Sequence, residues 1–213
     1  MLATSKLGRI LQLSDNLILV NYSCSANCRH CPYGKQDSLP RPHSEVIKDI
    51  NLAQDELIIL SGGEPLELQE NSLQRYVQAI CLLRKYFRIA TGGFVCLSRY
   101  DRWLDPLPWF HGFQIGTDVL FESRNSSFDY FSTLWEENID YLNENMRPYS
   151  ITITLGPDVS VEDISDKLVK THPQFVMLNS LQSTGGAHAT RSKEIARISE
   201  ILPRVRIIDG FGY

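Results

Sequence analysis

The sequence is short of the features that mark several large classes of protein. Basic residues do not outnumber acidic ones: 21 Lys and Arg stand against 25 Asp and Glu, for a net charge of −4. No basic stripe is therefore available to track a nucleic-acid backbone, and no nucleic-acid partner is expected. Apolar runs fall well short of the about 20 residues that a membrane-spanning helix needs, so no membrane span is expected. The first 16 residues have neither the apolar segment nor the small-residue cleavage site of a secretory leader, so a cytoplasmic protein is expected. No G-x-G-x-x-G follows the first apolar run, which removes the usual mark of a dinucleotide-binding sheet. There are no repeats, low-complexity tracts or linkers, and Pro106 and Pro108 punctuate a loop rather than a boundary. Cysteine is scarce and odd in number, at five, which argues against a disulfide framework.

What is there suits one soluble domain. The chain has 213 residues, 43% hydrophobic and 22% charged, enough to bury roughly 70% of the surface exposed on unfolding. Short runs rich in β-branched residues recur at Leu17–Tyr22, Leu57–Leu60, Phe87–Ala90, Phe113–Ile115, Tyr149–Leu155, Phe175–Leu178 and Val205–Ile208, and these read as strands. Helical stripes lie between them. Leu73, Val77 and Ile80 form one; Phe128, Phe131, Trp135, Ile139 and Leu142 form another; Ile195, Ile198 and Leu202 form the last. Val161, Ile164 and Leu168 make a shorter stripe, with Ser160 at an N-cap and Asp163 at the capping-box position. Alternation of this kind builds a parallel sheet with helices outside. A closed eight-unit barrel needs about 250 residues. The expected fold is therefore α/β, an incomplete (β/α)6-type TIM barrel, with a doubly wound open sheet as the runner-up. One domain is expected over 1–213, with its core at about 16–190 and a final helix and extra strand or tail over 191–213.

Three of the five cysteines fall within eight residues, as Cys24-Ser-Ala-Asn-Cys28-Arg-His-Cys31 directly after the first strand. Three thiolates on one short loop can each take a corner of a cubane iron–sulfur cluster, leaving one iron open to a small molecule. Structural zinc is a competing reading, but it prefers four ligands from paired knuckles, and no second knuckle lies downstream. A thioredoxin-like pair would leave Cys24 unexplained, and three unrelated buried cysteines remain a further alternative. A second motif, Ser61-Gly-Gly-Glu-Pro65, follows the second strand at the same end of the sheet. Its glycines suit a close backbone approach and its carboxylate suits an ammonium group. Strand C-termini are where barrels and open α/β sheets carry their sites.

The pairing of C-x3-C-x2-C after strand one with GGEP after strand two resembles the radical S-adenosylmethionine (radical SAM) superfamily, in particular the core of its molybdenum-cofactor and peptide-modifying branches. The resemblance implies one [4Fe-4S] cluster on Cys24, Cys28 and Cys31, with SAM chelating the fourth iron. It implies that His30 lies near the adenine and that Gly62, Gly63 and Glu64 bind the SAM amino group. Thr91-Gly-Gly93 resembles a T-N-G turn, and Gln114-Ile-Gly-Thr-Asp118 resembles an S-x-D motif in which Gly116 replaces the ribose-binding serine. Thr91, Asp118 and Thr154 thus join the expected cofactor-binding set, with Thr117 or Asp118 as substitute hydroxyl or ribose contacts and Leu155 beside Thr154. Thr184-Gly-Gly186 resembles a loop that closes on the cofactor.

The activity implied by the resemblance is reductive cleavage of SAM to a 5′-deoxyadenosyl radical, which abstracts hydrogen from a small metabolite or a short peptide. An external electron donor such as flavodoxin or ferredoxin is implied with it. A glycyl-radical-enzyme activating protein and a 7-carboxy-7-deazaguanine synthase-like ring-contracting enzyme are alternatives of similar size; an iron–sulfur carrier or sensor is the non-enzymatic one. Cys81 and Cys96 read as buried small hydrophobes, Cys96 with a possible hydrogen-donor role. Trp103, Trp109 and Phe110 read as a loop that either caps a pocket or packs on itself. Arg41-Pro-His43 and Arg99-Tyr-Asp-Arg102 read as solvated loop charge or anion contacts, and His188 and Arg191 as possible substrate contacts.

Overall fold

The computed structural model describes residues 17–31, 41–156, 158–180 and 187–209. Seven strands run in chain order: β1 Leu17–Asn21, β2 Leu57–Gly62, β3 Tyr86–Thr91, β4 Phe110–Gly116, β5 Tyr149–Leu155, β6 Phe175–Ser180 and β7 Arg206–Asp209. All neighbours pair in parallel, and the order across the sheet is β1-β2-β3-β4-β5-β6-β7. A doubly wound sheet reverses its direction of growth at a switch point. This sheet never reverses, which is the winding of a TIM-type barrel and disposes of the runner-up. No ladder joins β7 to β1 among the described residues, so the barrel is incomplete as expected. It holds seven strands rather than six because the Val205–Ile208 run pairs with β6.

Six α-helices are described: α1 His43–Leu52, α2 Glu70–Leu82, α3 Leu97–Leu104, α4 Phe128–Glu144, α5 Ser165–Leu168 and α6 Ala187–Ile201. Among the described residues no helix is long and apolar enough to cross a membrane. The strand pleat sorts side chains into two sets. Phe87, Ile89, Phe113, Ile115, Ile151, Ile153, Val176 and Leu178 point outward and are fully buried beneath the helices. They meet Leu73 and Ile80 of α2, and Trp135, Ile139 and Leu142 of α4, in one apolar cluster. Each such side chain contributes about 1.5–3 kcal/mol by leaving water. The other set (Ala90, Gln114, Gly116, Thr152, Thr154, Met177 and Asn179) faces a cavity on the concave side. Strand pairing steps from Phe87↔Phe110 to Ile89↔Phe113, so β4 carries one extra residue. Gly112 lies in that bulge at φ +89, with the Pro148 carbonyl where a Cβ would go.

Four sequence readings need correction. Arg99 to Trp103 are not loop residues but lie within α3, whose buried face is Leu97, Tyr100, Asp101 and Leu104. Asp101 interrupts the apolar stripe because Arg147 and Tyr141 pair with its carboxylate inside. Trp109 packs on Tyr86, and Phe110 packs on Phe87 and Phe113 at the start of β4, the sheet end opposite the cysteine loop. Neither caps a pocket there. The Val161 stripe has its capping box at Ser160 and Asp163, but forms a 3-10 turn, Val161–Ile164, followed by the single turn of α5. Cys96 is exposed, not buried, and its sulfur contacts Ser98.

Candidate functional site

The site is assembled at the C-terminal ends of β1 to β6. After β1 the chain turns through Asn21 and Ser23 into the cysteine loop, while the end of β2 runs alongside. Gly63 N–H donates to the Asn21 carbonyl at 3.0 Å and Glu64 N–H to the Ser23 carbonyl at 2.8 Å. This pairing explains the two glycines. Gly62 has φ +126, and a Cβ on Gly63 would stand 1.9 Å from the Ser23 carbonyl oxygen. The close approach that they permit is to the protein's own backbone on the β1 side.

The Glu64 side chain is only 1% exposed. One carboxylate oxygen accepts from Leu66 N–H at 3.1 Å; the other accepts from the Thr91 hydroxyl at 3.0 Å and Gly92 N–H at 2.8 Å. Burial pushes its pKa up to about 7 against the pull of these three donors. Thr91 in turn accepts from Gly93 N–H at 3.1 Å, so the GGE and TGG loops are one hydrogen-bonded unit.

The cysteine loop is held on its other flanks too. Ser25 bonds to Glu67 through both its N–H and its hydroxyl. Arg29 N–H donates to the Arg124 carbonyl at 2.8 Å, and Cys31 N–H closes a turn on the Cys28 carbonyl at 3.1 Å. Asn125 donates to the Ala26 carbonyl at 3.0 Å and points at the Cys28 sulfur at 3.4 Å. Burial pushes the Cys24 thiol up to about 12 and the Cys28 thiol up to about 11, the Asn125 contact opposing the latter. Bare, these thiols hold their protons. A cationic group bound to them would supply the charge that makes thiolates.

On the far wall, Arg124 is fully buried. It binds Asp118 at 2.5 Å, Asp158 through two bonds at 3.0 and 3.1 Å, and the Thr154 carbonyl at 2.7 Å. Asp118 also faces His30 Nε2 at 3.3 Å, and its second oxygen accepts from the Thr154 hydroxyl at 3.4 Å. The Nδ1 atom of His30 is buried and lacks a hydrogen-bond partner among the described residues. Thr117 turns inward to the Thr152 carbonyl and does not line the cavity, which leaves Asp118 as the polar group there. Gly116 has open space where a side chain would begin, its nearest neighbour being the Thr91 carbonyl at 3.6 Å.

All ten site residues expected from the sequence line one cavity of about 390 Å³: Cys24, Cys28, Cys31, His30, Gly62, Gly63, Glu64, Thr91, Asp118 and Thr154. Cys81 and Cys96 do not line it. The Thr184–Gly186 loop, the side chains of His188 and Arg191, and the tail after 209 lie outside the described residues. Arg41 and His43 serve the fold: Arg41 bonds to the Leu19 carbonyl and Asp49, and His43 to Tyr76. Sequence reasoning missed Asn125, Arg124 and the inner wall of Gln114, Thr152 and Asn179. Arg124 and Asn125 sit in a loop far along the chain from the cysteines, and no spacing rule connects the two.

The donor set fits an iron–sulfur cluster. Three thiols face one cavity, and an amide donor rests on one of the sulfurs, a contact that tunes such clusters. No three of these or other His, Cys, Asp or Glu side chains among the described residues converge on a single-ion point, whereas a cubane takes each thiolate on a separate iron. The cavity walls also fit a polar nucleoside-bearing ligand, with an orphaned ring nitrogen on His30 and room for a side chain at Gly116.

No protein-family model matches the sequence, and no curated protein matches it. Solved structures do match in fold. Streptococcus suis SuiB bound to S-adenosylmethionine superposes with a TM-score of 0.68 at 12% identity, covering 96% of this chain and 53% of that one. SuiB bound to the precursor peptide SuiA gives 0.64 at 13% identity, covering 96% and 51%. AnSMEcpe with bound AdoMet gives 0.59 at 16% identity, covering 90% and 63%. The chain thus spans about half the length of SuiB. Together with its winding and strand count, these likenesses give the chain the partial-barrel fold of SuiB and anSMEcpe.

Proposed function

We propose that the chain is a radical SAM enzyme, binding one [4Fe-4S] cluster on Cys24, Cys28 and Cys31 and S-adenosylmethionine beside it. The observation that carries this reading is the convergence of the three cysteines and the seven expected cofactor-binding residues on one cavity. When bound, the cluster supplies an electron for reductive cleavage of SAM, and so the means to abstract hydrogen from a substrate.

The chain's own residues bind and orient. Glu64 has about four acceptor positions, of which Leu66, Thr91 and Gly92 take three. The remaining one receives an N–H of the SAM ammonium, alongside the backbone of Gly62 and Gly63. Thr91 keeps that carboxylate aimed. His30 offers its unpartnered Nδ1 on the adenine side. Asp118, steadied by Arg124 and Thr154, would hold the ribose beside Gly116. Phe94, Val119 and Ala26 give the cavity an apolar stretch of wall.

A peptide or small metabolite is the substrate class in this reading, with an external one-electron donor such as flavodoxin or ferredoxin. SuiB's complex with a precursor peptide favours the peptide. The test is anaerobic reconstitution, iron counting, and detection of 5′-deoxyadenosine by mass spectrometry after SAM and dithionite are added. About four irons per chain are expected, with cleavage and brown absorbance both lost in Cys28→Ala. Absence of cleavage under every reductant, with the three cysteines carrying zinc instead, would refute the proposal.

A further inference from the structure

Below the cofactor loops the barrel interior contains a cation without a counter-ion among the described residues. Arg88 on β3 is 4% exposed. It shares its strand face with Ala90, which lines the cavity one pleat repeat above it. The guanidinium reaches past β4 to Ser150 on β5 at 2.9 Å and to Gln174 at 3.0 Å, and lies 4.7 Å over the Phe175 ring. Among the described residues no carboxylate pairs with it, and its Nε has no partner. Burial alone pulls its pKa down, to about 10, so it stays charged near neutrality. An uncompensated buried charge is costly, and a ligand anion would offset that cost.

The cavity wall directly above Arg88 is polar and unfinished. Gln114 on β4 is 5% exposed, lines the cavity, and has an amide oxygen without a partner. The Thr152 hydroxyl on β5 is also buried and, among the described residues, unpartnered; it stands one pleat repeat above Ser150, the register partner of Gln114, and Asn179, opposite Thr154, stands one repeat higher. Amide flips exchange the oxygen and the N–H2 of Gln114, so Gln114 and Thr152 can each present a donor to an acceptor. Of the described side chains on the cavity side of β3 to β6, none at this level is a carboxylate. The chemistry therefore favours an acceptor with negative charge and disfavours an ammonium group.

We propose that the barrel interior receives the carboxylate of an acidic substrate, held by Gln114 and Thr152 and drawn by the field of Arg88. This rests on the reading that the cofactors occupy the mouth of the same cavity. Arg88 is a positioning residue here, while Gln114 and Thr152 touch the substrate.

The test uses cluster-loaded protein with SAM, under argon, and three probes of equal length: glutarate, glutaramide and 1,5-diaminopentane. Ligand-observed NMR gives their dissociation constants. Glutarate is expected to bind about tenfold tighter than glutaramide, the weight of one charge-assisted hydrogen bond, and the diamine not at all. Gln114→Leu and Thr152→Val should each weaken glutarate by roughly threefold to tenfold. Arg88→Lys should keep the ranking and Arg88→Met should collapse it; should Arg88→Met fail to fold, the wild-type ranking and the two wall variants decide. Equal binding of the three probes, no binding of glutarate, or glutarate binding indifferent to both wall variants would each overturn the inference. Release of 5′-deoxyadenosine from the same sample separates the two readings. Release without glutarate preference removes this inference alone, and no release removes both.

Discussion

The amide nitrogen of Asn125 rests 3.4 Å from the Cys28 sulfur while also holding the Ala26 carbonyl at 3.0 Å. One side chain, from a loop between β4 and α4, therefore fixes the backbone of the cysteine loop and touches one of its thiols. Asn125→Leu should leave the buried Ala26 carbonyl without its donor and cost about 1–3 kcal/mol in urea unfolding. In the reconstituted protein it should also lower the reduction potential, since hydrogen bonds to cluster sulfurs raise it. Spectroelectrochemistry of the two proteins reads this; an unchanged potential would show that the amide does not act on the sulfur.

Gly63 and Gly116 both line the cavity, yet they should respond oppositely to substitution. A Cβ at Gly63 meets the Ser23 carbonyl at 1.9 Å, and backbone on backbone cannot give way. Gly63→Ala should cost about 3 kcal/mol or more and lower the yield of folded protein. A Cβ at Gly116 meets nothing nearer than 3.6 Å. Gly116→Ser should stay within about 1 kcal/mol of the parent and tighten SAM binding by restoring a hydroxyl at that place. Thermal unfolding and equilibrium dialysis measure the pair.

Stability should fall as pH rises across the range in which Glu64 titrates. Its carboxyl is pushed from an ordinary 4.5 up to about 7 by burial. Between those values the native state binds more protons than the unfolded chain, so the slope of unfolding free energy against pH is negative there. The contribution is fully present below about 4.5 and lost as pH passes about 7. Urea titrations at pH 5 and 7.5 should show the parent losing stability that Glu64→Gln does not lose. Equal slopes in the two proteins would mean that the carboxyl does not titrate in this window.

Removing the Arg124 guanidinium strips one bonding partner from Asp118, two bonds from Asp158 and one from the Thr154 carbonyl. Asp118 and Asp158 are 28% and 36% exposed, so water takes over part of the loss. Arg124→Met should cost about 2–3 kcal/mol, less than a fully buried pair would lose. Differential scanning calorimetry of the two proteins measures it.

The strands were legible because each carries a short apolar run on its helix-facing side, even where Arg88, Gln114, Thr152 and Asn179 make the inner face polar. The winding was legible from alternation and length. The short helices were not. In α1 only Val46 and Ile50 are buried, too few for a stripe, and in α3 the buried Asp101 breaks the apolar pattern. The cysteine and GGE loops stood out because their residue types and spacing are unusual within a few positions. The supporting groups did not, since Asn125 and Arg124 meet the cysteine loop only through the fold. The reason for the two glycines also emerged only in three dimensions: the Gly62–Gly63 backbone presses on Asn21 and Ser23.

Arg124 has one further consequence. Its side chain spans Asp118, Asp158 and Thr154, while its own carbonyl takes the Arg29 N–H from the cysteine loop. The cysteine loop and the Asp118 wall therefore share one support. If the proposed cofactors bind there, occupancy of one side should steady the other, and by reciprocity each occupant should strengthen its neighbour's hold by the same factor.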